Sequence, residues 1–258
     1  MAISRGADVI LPARTDIFAK AIASATICTV SMLGVRQAQA QNAEYPRMAP
    51  IERYLMDRKV EIALARSAAP ASVSKDATVL VLGRHGYRIA IKGSNGFVCM
   101  VSRALVGAFD WPEHWNPKIR GAECLNAPAA RAILPIAEMR TALAFAGDSV
   151  AEIMSKIRAS LDRGAIPALG PGAMSYMMAQ GSYLTDEGDH NMPHVMFYVP
   201  IADPSAWGAD RPGSPVGYGP FWFVTKRMSA RYEGLPPIYV FTVSVPYWSD
   251  ARPFNGAL

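Results

Sequence analysis

Residues 78–101, TVLVLGRHGYRIAIKGSNGFVCMV, decide the fold class. Thr78–Leu82, Tyr87–Lys92 and Gly96–Val101 are apolar-rich runs separated by Gly83–Gly86 and by Gly93-Ser94-Asn95-Gly96. Glycine supplies the backbone freedom that tight turns need, so the pattern predicts strands joined as a β-meander. Val79-Leu80-Val81-Leu82 is apolar at every position, which predicts a strand covered on both faces.

On the N-terminal side, Ile51–Arg66 is rich in helix formers, with Ile51, Leu55 and Ile62 at helical spacing, and Ala68-Ala69-Pro70 ends it. On the C-terminal side, Ala108–Ala122 reads as a loop anchored by Trp111 and Trp115, and a helical pair follows. Pro135–Ala146 carries Ile136, Met139 and Leu143 on one face, with Gly147 as its stop. The next helix opens on Ser149 and Glu152, a capping-box pair. Its Val150, Ile153, Met154, Ile157 and Leu161 form one apolar stripe, Glu152 and Lys156 are spaced to pair, and Gly164 closes it. Strand patterns return at Ala173–Met178, His194–Val199, Pro220–Val224 and Ile238–Val245, with connections such as Asp210–Gly219 between them. Strands, then helices, then strands predict an α+β fold. Its largely antiparallel sheet would carry the N-terminal helix and the central helical pair. No repeat or composition shift divides residues 41–258, which read as a single domain.

The chain has 258 residues, 51% hydrophobic and 18% charged, which excludes a disordered polypeptide. Its N-terminus follows the order of a cleavable secretory signal. Arg5, Arg14 and Lys20 precede a charge-free run from Ala21 to Val35, and Ala38-Gln39-Ala40 supplies an Ala-x-Ala cleavage site. The run falls short of the roughly 20 residues a membrane-spanning helix needs. Cleavage after Ala40 removes Arg5, Arg14, Lys20 and Arg36 along with Asp8 and Asp16, so the net charge of +5 falls by two. No dense Lys/Arg run remains, which argues against a nucleic-acid partner. Nor does any later stretch approach a membrane span. Export, to the periplasm or the medium, also changes the cysteines. Cys28 leaves with the signal, and Cys99 and Cys124 can then form one disulfide. That bond would link the end of a strand to the loop before a helix and contribute about 3 kcal/mol in the chain-entropy model. Two separately buried thiols are the alternative.

Chemistry-bearing residues concentrate at Asp186, Glu187, Asp189, His190 and His194. Imidazoles and carboxylates this close can hold a divalent metal or exchange protons. The spacing is not that of a zinc-protease helix: no Glu follows His190, and Pro193 opposes a helix. The plainer reading is a polar hairpin loop with His194 capping a strand. Met174 and Met178, with Met192 and Met196 beside His194, extend the idea to copper, although methionine is also a common gap-filler in cores. Ser72-Val73-Ser74-Lys75 matches S-x-x-K, but it falls in a loop and has no Lys-Thr-Gly companion. Trp207, Tyr218, Trp222, Tyr239 and Trp248 crowd the last quarter of the chain and are candidates for a ligand pocket or for a second aromatic core.

Four stretches, Asn95–Cys99, Gly172–Met178, His194–Tyr198 and Pro246–Asp250, resemble those of a family of exported bacterial proteins with no assigned activity. The resemblance spans most of residues 41–258. It implies export and transfers no catalytic role. The sequence therefore favours a non-enzymatic exported domain that binds a small apolar or aromatic molecule or serves in the envelope. The competing expectation is a metal-dependent enzyme of hydrolase type, or a copper-binding protein, built on His190 and His194 with Asp186 or Asp189.

Overall fold

The apolar runs form β1 (Thr78–Gly83), β2 (Gly86–Ile91), β3 (Val98–Ser102), β4 (Gly121–Leu125), β5 (Met174–Met177), β6 (His194–Val199), β7 (Val216–Pro220) and β8 (Tyr239–Ser244). They join in one sheet of order β2-β1-β3-β4-β5-β6-β8-β7, antiparallel everywhere except between β1 and β3. With its helices the fold is α+β. The computed structural model describes residues 44–187, 192–200, 204–209, 211–232 and 234–256, all within a unit that runs from Asn42 to Leu258. Residues 1–40, read in the sequence as a secretory signal, lie outside the described residues.

The first three strands are not a meander. β2 folds back on β1, but the chain then crosses the start of β1 and lays β3 on its other side, parallel to it. Gly93 makes the crossing possible, because a β-carbon there would overlap the backbone of Ala77 and Thr78. Hydrogen bonds fix the passage. The Ser94 N–H donates to the Asp76 carbonyl at 2.8 Å, and the Asn95 amide donates to the Val73 carbonyl at 2.7 Å. β1 thereby becomes interior to the sheet, and Val79–Leu82 are buried throughout, as their unbroken apolar character predicts.

The N-terminal helix is shorter than its spacing suggests. A 3-10 turn (Ile51–Tyr54) and α1 (Arg58–Arg66) replace a continuous helix. Asp57 interrupts it by capping α1, its Oδ1 accepting from the backbone N–H groups of Lys59 and Val60 at 2.9 and 3.1 Å. One turn, α2 (Ala71–Ser74), follows and leaves Ser72 exposed. The central helical pair becomes α3 (Ala127–Ala132), α4 (Leu134–Phe145) and α5 (Val150–Asp162), with Pro135 in the first turn of α4. The capping box at Ser149 and Glu152 forms. Lys156 instead pairs with Asp148 at 2.5 Å, because Glu152 is already turned back to Ser149.

α1 covers one face of the N-terminal half of the sheet. There Val79, Val101, Ala122 and the half-cystines meet Ala65, Ala68 and Ala69, small side chains that allow close approach. On the other face, Leu80, Met100 and Leu125 pack with Ile136, Ile153 and Ile157 of α4 and α5. The Cys99–Cys124 disulfide is formed, but not where the sequence places it. Cys124 lies within β4, a strand in a region read as loop and helix approach, directly opposite Cys99 with the Cα atoms 3.9 Å apart. β7 likewise begins in the Asp210–Gly219 stretch read as a connection and ends at Pro220, so Phe221–Val224 are not strand. Among the described residues no helix is long and apolar enough to cross a membrane.

Candidate ligand-binding site

β4 is a short strand, buried at every position, with one acid in it. Alternation sends Ala122 and Cys124 toward α1 and Glu123 to the opposite face. The ladder then assembles a polar group from strands far apart in sequence. Leu125 pairs with Ser175, Ser175 pairs with Met196, and Tyr198 shares the face of Met196 one pleat further along β6. Tyr198 Oη donates to Glu123 Oε1 at 2.7 Å, and Ser102 Oγ donates to Glu123 Oε2 at 2.9 Å. Ser175 Oγ lies 3.2 Å from Tyr198 Oη and completes the chain. All four residues are buried.

Glu123, Tyr198 and Ser102 form part of the wall of a cavity of about 330 Å³. Met177, Met196 and Val240 contribute apolar floor from the sheet, Ile133 and Ala137 come from the α3–α4 side, and Phe221 comes from the segment after β7. The volume is at the small end of ligand pockets, about 300–1,000 Å³. Burial and the neighbouring Glu123 carboxylate push the Tyr198 phenol well above its ordinary value, so it is a neutral hydroxyl that donates. Among the described residues no Lys, Arg or His forms an ion pair with Glu123. The site therefore offers two acceptor oxygens, oriented by two hydroxyls, in a cleft whose other side chains are apolar.

Of the residues singled out in the sequence, Met196 lines this cavity and the others that the structure describes lie elsewhere. Asp186 is the hub of a surface network, accepting from Tyr45, from Tyr183 and from Lys118 Nζ at 2.8 Å. Burial opposes its ionisation, but the bonds from Lys118, Tyr183 and Tyr45 outweigh it and hold the carboxyl well below the usual range. Its own backbone N–H donates to Glu113 Oε2 at 2.9 Å. Burial, and then the bond to Asp186, push the Tyr45 phenol up to about 12. His194 is buried with Nδ1 2.8 Å from the Met192 carbonyl oxygen, and burial pushes its pKa down. Asp189 and His190 lie outside the described residues. Among the described residues no three His, Cys, Asp or Glu side chains stand close enough to share a metal. The methionines do not converge either. Met174 pairs with Phe197 and Met196 with Ser175, adjacent registers that face opposite sides of the sheet.

The aromatic set is divided among separate places. Trp222 and Tyr239 line a cavity of about 220 Å³, with Trp222 Nε1 donating to the Pro236 carbonyl at 2.9 Å. Trp207 and Tyr218 lie against Phe241, with ring centres 4.6 and 6.1 Å from it, and remain 49% and 40% exposed. Trp248 packs edge-on to Phe254 beside a third cavity.

Glu123, Tyr198, Ser102 and Ser175 escape sequence reasoning. Their one visible signal is an acid inside Gly121-Ala122-Glu123-Cys124-Leu125, informative only once that segment is known to be a buried strand. No family model matches the chain, and neither a curated protein nor a solved structure matches it.

Proposed function

We propose that this protein is an exported domain that binds a small, mainly apolar molecule in the cavity above Glu123. The carrying observation is the Glu123 carboxylate, hydrogen-bonded to Tyr198 and Ser102, in the wall of a cleft whose other side chains are apolar. Burying a carboxylate there costs folding free energy that two hydroxyl hydrogen bonds offset only in part, and recognition of a ligand's polar end is the use that we propose for it. The signal-like segment ending at Ala40 and the Cys99–Cys124 disulfide support export, since structural disulfides persist in oxidising compartments.

The test is ligand-observed NMR with a library of small amphipathic molecules, repeated on two variants. Val240→Phe fills the cavity from its floor, whereas Trp207→Ala alters the exposed aromatic cluster outside it. The expected result is binding that Val240→Phe abolishes and Trp207→Ala leaves intact. Binding that persists in folded Val240→Phe would move the site elsewhere and overturn the reading.

A further inference from the structure

We infer that the molecule bound above Glu123 is an organic cation, an alkyl- or arylammonium whose charged head sits on the Glu123 carboxylate. The inference rests on the ligand-binding reading and adds the charge of the ligand. Glu123 is 8% exposed, and the groups that hold its oxygens are hydroxyls, which orient a carboxylate without neutralising it. The one buried ion pair among the described residues lies across the sheet. Arg103, two strand positions beyond Val101 on the α1 face, is taken by Glu61 at 2.7 Å. Among the described residues no protein cation forms an ion pair with Glu123.

The remaining walls suit a cation with an apolar body. Met177 and Met196 present polarisable thioethers and Phe221 an aromatic ring, groups that tolerate a positive charge better than saturated hydrocarbon does. The volume of about 330 Å³ has room for about ten water-sized groups, enough for a short chain or one ring bearing an amine. Each oxygen of Glu123 receives one hydrogen bond and retains a lone pair for the ammonium N–H.

Phenethylamine, phenethyl alcohol and propylbenzene share one body and differ at the head, so titrating each into the protein by calorimetry at neutral pH tests the charge alone. The amine should bind about tenfold or more tighter than the alcohol, because both can donate a hydrogen bond to the carboxylate but only the ammonium balances its charge. Glu123→Gln, which keeps the shape of the side chain and removes its charge, should erase that preference. The comparison on the unmodified protein needs no variant to fold. If amine and alcohol bind equally, the cation inference falls and the ligand-binding reading stands. If none of the three binds, the cation inference falls, and the ligand-binding reading is decided by the library screen on the Val240→Phe variant.

Discussion

Glu61 and Arg103 form a buried pair whose removal has a calculable cost. Their side chains are 1% and 0% exposed, and Arg103 Nη2 donates to Glu61 Oε1 at 2.7 Å. The guanidinium is otherwise spent on the backbone, donating from Nε to the Tyr54 carbonyl at 2.7 Å and from Nη1 to the Val101 carbonyl. Glu61 Oε1 also accepts from the Leu82 N–H at 3.2 Å, while Oε2 has no partner. The pair thus ties α1 and the segment before it to β1 and to the end of β3, next to Ser102 of the cavity wall. Arg103→Met strands a buried carboxylate, and Glu61→Met strands a buried guanidinium, so each should cost about 3–5 kcal/mol. The double variant leaves no buried charge. It orphans the Tyr54 carbonyl and the Leu82 N–H, at about 1–3 kcal/mol each, whereas the Val101 carbonyl keeps its bond from Tyr87. Its cost should therefore fall short of the sum of the single variants, by about 4 kcal/mol at the middle of these ranges. Urea unfolding with the disulfide intact, run as a double-mutant cycle, measures this coupling. Additive costs, or single variants each costing under about 1 kcal/mol, would refute the view that the two charges depend on one another.

Three further outcomes follow from particular contacts. Gly93→Ala should destabilise by at least about 3 kcal/mol, because its β-carbon meets backbone rather than a movable side chain; a urea midpoint like that of the unmodified protein would contradict the close crossing. Replacing both Cys99 and Cys124 by Ala opens a loop of sequence separation 25 and should lower stability by roughly 3–4 kcal/mol, read as a drop in the urea midpoint that reductant reproduces on the unmodified protein. Burial, and then the charge of Arg140, push His114 down to about 3. The unfolded chain therefore takes up a proton near pH 6.5 that the folded chain refuses, and stability falls by up to about 1.4 kcal/mol per pH unit below that value. His114→Gln should flatten the slope between about pH 6.5 and 5; equal slopes for the two proteins would show that His114 is not the group responsible.

Locally encoded features were legible. Ser149 and Glu152 are three residues apart and cap α5 through contacts within one turn. Val79–Leu82 announce burial on both faces through composition alone, and the ends of β6 fall at His194 and Val199 as the pattern reads. The missed elements lack a local signature. β4 is short and contains an acid, and the glycines of β7 weaken its strand character, so both are strands because neighbouring strands complete their hydrogen bonds. Asp57 ended a helix that apolar spacing alone carried through it, because capping competes with periodicity at a single residue.

The candidate site shows the same division. Glu123 and Tyr198 are 75 residues apart, and nothing at either position names the other. The sequence by itself determined the α+β class, the capped helix, the buried first strand and an export-like N-terminus, because these depend on short-range periodicity and composition. Only the tertiary structure decided that β3 crosses to the far side of β1, that Cys99 faces Cys124 across a ladder, and that Glu123 meets Tyr198 and Ser102 beside a cavity. Those facts depend on strand order and register, which the chain settles by satisfying backbone hydrogen bonds and burying both sheet faces at once.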